Sequence, residues 1–282
     1  MRPGEPVVAS VAPQEIAVPS WPGLLAGVSM AGFRNRADDL VDIQVVPYPA
    51  VTLFFDFGDG LLVEDVSGHQ QRGSIVAGFT PGRVRGQGRD IECLQVRLSP
   101  LVAHAVLGAS SALGGTVAAL EDLWGRDATR IQEQLRAADS WQDRFAIAGA
   151  ALTLRYEAGW AVDAEVAFAW EQIAANHGRV RVEQLSAEVG WSRKRLWSRF
   201  GSQVGLTPKR AAQLVRFDHA AHRLAAGDRA ALVAAESGYA DQSHLHRDVI
   251  AFAGLTPAAV AIAPWLAVDS VAWAGTQHAA RT

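Results

Sequence analysis

Two short stretches of the chain carry polar, basic and aromatic side chains at spacings that place them on the outer face of one helix each. In the first stretch these residues are Arg193, Lys194, Trp197, Ser198 and Arg199. In the second stretch they are Gln242, Ser243, His246 and Arg247. Such side chains hold phosphates and hydrogen-bond to base edges, and an indole offers apolar contact to a thymine methyl group. The chemistry that they predict is recognition of nucleic acid.

Each polar face lies opposite an apolar stripe, and the stripe belongs to the element that must position the face. The apolar residues recur three or four positions apart, as expected of a helix with one buried side. They are Leu196, Phe200 and Val204 in the first stretch and Leu245, Val249 and Phe252 in the second. Ser192 and Asp241 precede the two helices and offer N-cap oxygens to them. The sequence thus predicts two amphipathic helices with their polar faces outward.

The two helices belong to a pattern that occurs twice between positions 179 and 263. In each copy a short helix is stopped by a glycine and an aromatic residue, Gly190-Trp191 or Gly238-Tyr239. A second helix follows and ends at Gly-Leu-Thr-Pro, at 205–208 and at 254–257. Corresponding positions are 48 or 49 residues apart. A short helix, a glycine turn and a second helix, present twice, predict a tandem helix-turn-helix.

Residues 178–262 resemble the DNA-binding region of AraC/XylS-type transcriptional regulators. The resemblance rests on the doubled Gly-Leu-Thr-Pro, on Gly-Tyr-Ala-Asp-Gln-Ser-His-Leu at 238–245, and on the helix at 209–224 between the two units. It implies that the nine residues of the two polar faces contact DNA, with the two helices in successive major grooves. It also implies a cupin-like barrel in the amino-terminal half that senses a small molecule.

The charge of the chain is distributed in a way that fits this resemblance. Residues 178–262 contain 12 Arg and Lys against 7 Asp and Glu, a net charge of +5. The rest of the chain contains 14 against 22, a net charge of −8. Concentrated positive charge is the electrostatic signature of a nucleic-acid-binding domain, although Arg-rich surface helices also occur in other proteins. The charge therefore supports the repeat and would not identify the partner by itself.

Length and composition limit the number of domains and the classes of protein to which the chain can belong. A chain of 282 residues, 49% of them hydrophobic, suits two domains with packed cores. Its single cysteine, Cys93, excludes an internal disulfide and a cysteine-rich zinc site. The sequence shows no charged-then-apolar leader and no apolar run of 18 residues. We therefore expect a cytoplasmic protein with no membrane segment.

The residue pattern of the amino-terminal half is typical of a β domain. Short runs rich in β-branched and aromatic residues lie between Gly and Pro turns, at 43–46, 51–55, 61–63, 74–79 and 91–98. The last run alternates, with Ile91 and Cys93 on one face and Leu94 and Val96 on the other. Such strands predict a sandwich or a small barrel. Residues 1–20 are predicted to be a poorly ordered lead-in.

Helical patterns follow, at 100–106, 117–123, 128–137, 141–155 and 163–176. We expect a β-rich sensing or oligomerisation domain at 1–160, a connecting helix at 161–177, the DNA-binding domain at 178–262 and a tail at 263–282. The predicted fold class is α+β in two domains. A cupin-like β-barrel with helices precedes an all-α tandem helix-turn-helix.

The amino-terminal half lacks the spacing of a metal or catalytic site. His69 and His104 are its only histidines, and neither belongs to the His-x-His pattern of metal-binding cupins. The acidic residues within 56–65 fit a solvated turn better than a general acid-base pair. Likewise, Arg83, Arg85 and Arg89 fit a solvated loop better than an anion site. We expect no metal, no cofactor and no catalytic residue.

The predicted function is that of a sequence-specific DNA-binding transcription regulator, with double-stranded promoter or operator DNA as its partner. RNA polymerase, a small-molecule effector and a second copy of the chain are further candidate partners. One alternative is a protein-interaction adaptor with a degenerate DNA-binding module, since Ala230, Leu232 and Asp248 depart from the family's pattern. The other is a cupin-type enzyme, which would need a ligand cluster or an activated nucleophile.

Overall fold

The computed structural model describes residues 15–20, 25–45, 47–58, 60–65, 67–79, 84–108 and 116–273. Within these ranges the strands are β1 Glu15–Ala17, β2 Val28–Val45, β3 Val51–Asp56, β4 Leu62–Glu64, β5 Gln70–Arg72, β6 Ile75–Ala77, β7 Val84–Leu98 and β8 Val117–Ala119. The helices are α1 Pro100–Leu107, α2 Leu120–Trp124, α3 Arg126–Ala137, α4 Trp141–Glu157, α5 Ala164–Ala175, α6 Val182–Glu188, α7 Arg193–Val204, α8 Pro208–Ala225, α9 Ala230–Glu236, α10 Gln242–Ala253, α11 Pro257–Ala261 and α12 Pro264–Ala272. A β-rich amino-terminal part thus precedes a helical carboxy-terminal part, which confirms the two-part fold class.

One antiparallel sheet contains all the described strands and is built around the two longest. β2 and β7 pair from Val28 opposite Leu98 to Val45 opposite Val84. The order along the sheet is β1-β2-β7-β3-β6-β8. The second edge of β7 is divided between β3 and β4, and β4 also pairs with β5. Two paths of strands therefore leave the same edge of β7.

The predicted cupin-like barrel is present as a sheet and is not closed in the described part of the chain. The path ends at β1 and β8, which pair there with β2 and β6. Each of these end strands has three residues and so offers few ladder hydrogen bonds. Closure of a barrel requires each strand to be paired along both edges. The division of one edge of β7 between two short paths favours an open sheet instead.

Strand β7 separates two hydrophobic clusters, as its alternating pattern predicts. Ile91 and Cys93 belong to the cluster on one face. On the other face, Leu94, Val96 and Leu98 belong to a larger cluster that includes residues of α1 to α4. Because both faces are covered, buried apolar residues occur on both sides of this strand. The helices that follow the sheet are therefore part of its core.

Three segments differ from the structure that local pattern predicts. β2 continues through polar residues 34–36 because it pairs with β7 there. The helix predicted at 117–123 begins as β8, since residues 117–119 pair with β6. Residues 15–17 of the predicted lead-in form β1, where Glu15 also binds Arg34 at 2.8 Å. In each case a strand far along the chain overrides the local preference.

Helices α5 to α11 are arranged around α8. One cluster joins α5, α6, α7 and the first half of α8, with Ile173, Leu185 and Phe200 among its buried residues. The second half of α8 packs against α9, α10 and α11, where the rings of Phe217 and Phe252 stack with centroids 4.9 Å apart. Helix α8 is apolar over a wide surface because it serves both units.

The last described helix, α12, joins the sheet to α8. Arg97 of β7 donates a hydrogen bond to Asp269 at 2.7 Å, and its guanidinium lies 3.9 and 4.1 Å from the ring centroids of Tyr48 and Trp273. Nε2 of His222, on α8, lies 3.4 Å from the other carboxylate oxygen of Asp269. Residues 264–273 thus pack on both halves of the chain. Among the described residues, no helix has both the length and the apolar composition that a membrane crossing requires.

Candidate nucleic-acid interface

The first unit consists of α6 and α7 joined by a tight turn. Gly190 turns the chain with a φ of 67°, in the left-handed region that favours glycine. Ser192 then accepts a hydrogen bond from the Arg195 N–H at 3.3 Å and so caps α7, as predicted. Gly205 ends α7 with a φ of 85°. Glycine and cap together fix the direction in which α7 leaves the turn.

The second unit repeats these features on α9 and α10. Gly238 turns the chain with a φ of 76°, and Asp241 caps α10 by accepting from the His244 N–H at 2.6 Å. Gly254 ends α10 with a φ of 64°. A Cβ atom on Gly238 would lie 2.9 Å from Cγ of Arg179, so the turn also lacks space for a side chain. The repeat in the sequence is therefore a repeat in backbone geometry.

The doubled Gly-Leu-Thr-Pro begins a new helix after each unit. Thr207 accepts a hydrogen bond from the Arg210 N–H, and Thr256 accepts one from the Ala259 N–H, both at 3.2 Å. The proline that follows each threonine occupies the first turn of α8 or α11, where its missing N–H leaves no bond unmade. The motif thus joins α7 to α8 and α10 to α11.

Both apolar stripes point inward, as predicted. The three stripe residues of α7 are 0% exposed, and those of α10 are at most 2% exposed. They are Leu196, Phe200 and Val204, and Leu245, Val249 and Phe252. Because each helix buries its stripe, the residues on the opposite side of the helix face solvent. All nine residues predicted for the polar faces are exposed.

The centre of the α7 outer face carries Lys194, Trp197 and Ser198. Trp197 exposes 40% of its surface, although indoles are usually buried for most of their area. Beside them, the guanidinium of Arg195 lies 4.3 Å from the ring centroid of Trp191. This part of α7 combines cations with an exposed apolar ring, a combination suited to a charged polymer with flat bases.

The two flanking arginines of α7 are held to different degrees. Arg193 lies 3.4 Å from Glu183, in a pair whose side chains are 69% and 66% exposed, so we expect this pair to be weak. Arg199 donates two hydrogen bonds to the carboxylate of Asp163, at 2.6 and 2.8 Å. Local sequence pattern does not predict this second pair, because its partners are 36 residues apart.

The outer face of α10 is less charged than that of α7. It presents Gln242, Ser243, His246 and Arg247. Nε of Arg247 donates to the Ser243 carbonyl at 3.2 Å, which lays the side chain along the helix. On α7, by comparison, four exposed residues are cationic, namely Arg193, Lys194, Arg195 and Arg199. The α10 face therefore offers one guanidinium among groups that donate and accept hydrogen bonds.

Asp248, one of the departures from the family pattern, lies away from the α10 outer face. Its carboxylate accepts a hydrogen bond from Arg216 of α8 at 3.0 Å, and both side chains are 15% exposed. The same guanidinium lies 4.5 Å from the ring centroid of Tyr239. Burial raises the pKa of Tyr239 to about 12. Asp248 thus ties α10 to α8 and adds no negative charge to the centre of the predicted DNA-contacting face.

A family model described as a helix-turn-helix domain matches residues 185–261. The match runs from α6 through α11 and includes both turns, both caps and both outer faces. Residues 185–261 are an AraC-type helix-turn-helix domain. The match thus confirms the helix-turn-helix domain that the repeated pattern predicts in this part of the chain.

No curated protein matches the chain in sequence. Among solved structures, ToxT from Vibrio cholerae O395 is 12% identical over 85% of this chain and 98% of that chain, with a TM-score of 0.48. ToxT from Vibrio cholerae strain SCE256 with bound unsaturated fatty acid is 10% identical over 86% and 97%, with a TM-score of 0.48. The AraC-like transcriptional activator CuxR is 14% identical over 68% and 81%, with a TM-score of 0.28.

The AraC-type domain meets the amino-terminal half through its first unit. Helix α7 packs against α1 and α5, and Leu101 and Val162 lie against the cluster that buries Leu196. The side-chain oxygen of Gln203, which is buried, accepts a hydrogen bond from the Asp163 N–H at 2.9 Å. The segment ahead of α5 is therefore bound to α7 through both its backbone and its side chains.

Two acidic side chains of the sheet are buried, in contrast to their predicted position in a solvated turn. Within the described ranges, no group of three or more His, Cys, Asp and Glu side chains is arranged to hold a metal ion. Asp56 and Asp65 are buried, so the predicted solvated turn is wrong for these two. Burial acts to raise the pKa of Asp65, but hydrogen bonds from Ser67 and from the His69 N–H outweigh it and lower that pKa. Arg83 of the predicted arginine loop lies outside the described residues, and Arg85 and Arg89 lie on strand β7, so the predicted loop is wrong for these two.

Proposed function

We propose that the protein is a sequence-specific regulator of transcription that binds double-stranded promoter or operator DNA through both units of its AraC-type domain. The observation that carries the proposal is the presence of two exposed polar faces, on α7 and α10, with the same turns and caps around one shared helix. Each face consists of groups that hold phosphates or read base edges. Duplication of such a face suits a ligand that itself repeats, as the DNA duplex does.

Individual roles follow from the chemistry of the side chains. Gln242 suits an adenine, because its amide donates and accepts together, and Arg247 suits a guanine or a phosphate. Trp197 offers contact to a thymine methyl group. Arg193 and Arg199 suit phosphates, which set affinity without reading sequence. The remaining residues assigned to the two faces are Lys194, Ser198, Ser243 and His246.

Helix α8 sets the distance between the two units. Its 18 residues, Pro208–Ala225, span about 27 Å at roughly 1.5 Å per residue. Successive major grooves on one side of DNA repeat about every 34 to 36 Å. The two units extend the protein beyond the ends of α8, so the distance between their outer faces exceeds the length of that helix. One protomer therefore reaches two adjacent grooves. The site for one protomer is therefore non-palindromic, with two short determinants about one helical turn apart.

The amino-terminal half is proposed to control binding and not to contact DNA. Outside 178–262 the net charge of the chain is −8, which opposes binding to a polyanion. This half also contacts the first unit through α1 and the segment before α5. A small-molecule effector, a second copy of the chain and RNA polymerase are the proposed partners of this control, and the proposed compartment is the cytoplasm.

Selection of bound duplexes from a random pool, with the full chain, tests this function. We expect enrichment of two short determinants about 10 base pairs apart. Lys194→Ala and Gln242→Ala should each lose base preference at one determinant, whereas Arg126→Ala, an exposed arginine of α3, should change neither. A folded chain that enriches no motif would instead support the adaptor alternative. Turnover by a metal-supplemented sample would support the enzyme alternative.

A further inference from the structure

Asp163 occupies the N-cap position of α5, but its side chain does not cap that helix. Its φ of −62° and ψ of 135° are those of an N-cap residue, and its carbonyl oxygen accepts from the N–H groups of Val166 and Ala167 at 3.0 Å. Aspartate is a preferred N-cap residue because its carboxylate accepts from the first turn. Here the carboxylate makes no such bond and binds Arg199. Asp163 therefore has two alternative partners, one local and one on the recognition helix.

The contact between Asp163 and Arg199 has the geometry with which a guanidinium holds a phosphate. Nε and one terminal nitrogen of Arg199 donate to the two carboxylate oxygens, at 2.6 and 2.8 Å. The Arg199 side chain is 50% exposed and that of Asp163 is 25% exposed, so a large ligand can reach the guanidinium from solvent. The hydrogen bond from Arg199 lowers the pKa of Asp163, which keeps the carboxylate charged.

We propose that Asp163 is an internal competitor for the DNA phosphate that Arg199 binds. In the free protein the carboxylate occupies the guanidinium. In the DNA complex a phosphate takes its place, and the released carboxylate caps α5 by accepting from the first turn of that helix. The exchange makes the segment before α5 sensitive to the presence of DNA on α7. This inference rests on the proposed function, since it requires α7 to bind DNA.

The surroundings of Asp163 connect this exchange to the amino-terminal half. The Asp163 N–H is bonded to Gln203 of α7, and Leu101 of α1 packs against the cluster around α7. His104 of α1 is buried nearby, where burial lowers its pKa and the charges of Asp163 and Arg199 act on that pKa in opposite directions. A change in the partner of Asp163 therefore alters the electrostatic surroundings of α1. The inferred device lets DNA binding and the state of the amino-terminal half influence each other.

Asp163→Asn in the full chain tests the inference, because Asn retains a capping oxygen and loses the charge. We expect the affinity for DNA to rise roughly two- to fivefold, the range set by an exposed ion pair. The gain should shrink as salt is raised, because salt screens the competing pair. In the Arg199→Ala background the same change should have no effect. Glu183→Gln, which removes the partner of the more exposed Arg193, is the matched control and should have a smaller effect.

Asp163→Ser, which also keeps a capping oxygen without the charge, should behave as Asp163→Asn, and thermal unfolding shows whether each variant is folded. Unchanged affinity of both folded variants, in a chain that still binds DNA, overturns the inference and leaves the proposed function intact. An equal gain in the Arg199→Ala background also overturns it, because the gain would then reflect general repulsion between Asp163 and DNA. Failure of the wild-type chain to bind any duplex overturns the proposed function, and the inference with it.

Discussion

The two units of the AraC-type domain have the same backbone geometry but pack against different helices. Helix α7 of the first unit packs against α1 and α5, and Arg199 on it binds Asp163. Helix α10 of the second unit packs against α8, α9 and α11. Its link to the sheet runs through α8, where His222 meets Asp269 of α12. Duplicated motifs thus have the same local geometry and different connections to the rest of the chain.

The outer faces of α7 and α10 also differ, in the number of charged residues that they carry. Four exposed cations lie on or beside the α7 face, whereas Arg247 accompanies neutral hydrogen-bonding groups on α10. Phosphate contacts supply affinity, and base contacts supply specificity. From this comparison we propose that the first unit contributes affinity and responds to the amino-terminal half, and that the second unit reads bases. Four experiments test this difference between the two units.

The largest expected effect concerns the cores beneath the two faces. Phe200→Ala and Phe252→Ala should each lower the free energy of unfolding by about 3–5 kcal/mol, because both rings are buried. The loss should be greater for Phe252, whose ring also stacks on Phe217 and lies 4.0 Å from the guanidinium carbon of Arg210. Urea unfolding measures the difference, with the exposed Ile250→Ala as the control. A greater loss for Phe200 would contradict this ranking of the two units.

The next effect concerns the spacing of the DNA determinants. An insertion of about 5 base pairs between them should rotate the second determinant to the opposite side of the duplex. Affinity should then fall by roughly tenfold to a hundredfold, the equivalent of one good bidentate base contact. A gel-shift titration measures the loss, and the same insertion outside the two determinants is the control. Unchanged affinity would show that only one unit reads DNA.

The stability that the contact between His222 of α8 and Asp269 of α12 contributes should depend on pH. Burial acts to lower the pKa of His222, but its bond to Asp269 and the charge of Asp218 outweigh burial and raise that pKa to about 9. Since the folded pKa lies above the ordinary 6.5, this stabilisation is complete below about pH 6.5 and is lost as pH rises through about 9. Its size is on the order of 3 kcal/mol.

His222→Gln should therefore flatten the stability profile between these pH values, as measured by urea unfolding. His219→Gln is the matched control on the same helix, and its effect has the opposite sign. Burial lowers the pKa of His219 to about 4, so that residue reduces stability as pH falls from about 6.5 towards 4. A profile of His222→Gln that matches the wild type above pH 6.5 would exclude the proposed contribution of the α12 contact.

The smallest effect distinguishes phosphate contact from base contact within the first unit. Arg199→Ala should weaken binding to all duplexes alike and reduce the slope of log affinity against log salt by about 0.9. Lys194→Ala should also relax the preference at one base position. Affinity titrations at several salt concentrations measure both, with Arg126→Ala as the control. If neither variant alters binding, the assignment of the α7 outer face is wrong.

Local sequence was sufficient to predict the elements of the AraC-type domain. Glycine turns, N-cap residues and apolar stripes act within one or two helical turns, so Gly190, Ser192 and Leu196 could be interpreted without knowledge of the fold. The exposure of all nine polar-face residues follows from the same periodicity. Their contact with DNA remains a prediction. The position of Asp248 could not be predicted this way, because its partner Arg216 lies 32 residues earlier.

In the amino-terminal half, local pattern located most strands and gave the two faces of β7, since alternation is also a local property. It did not predict the extent of β2, the strand at 117–119 or the open edges of the sheet. These depend on pairing between strands that are distant along the chain, and that pairing overrides the weak preferences of Arg, Asn and Asp.

Residues a few positions apart were enough to specify the repeat, the helix boundaries and the outward direction of the nine polar residues. Tertiary structure alone decided which of those residues are held by other parts of the protein. Arg199 is bound by Asp163, and Arg97 of the sheet is bound by Asp269, 172 residues further along the chain. Such pairs depend on how separate elements pack, and no period in the sequence records that packing.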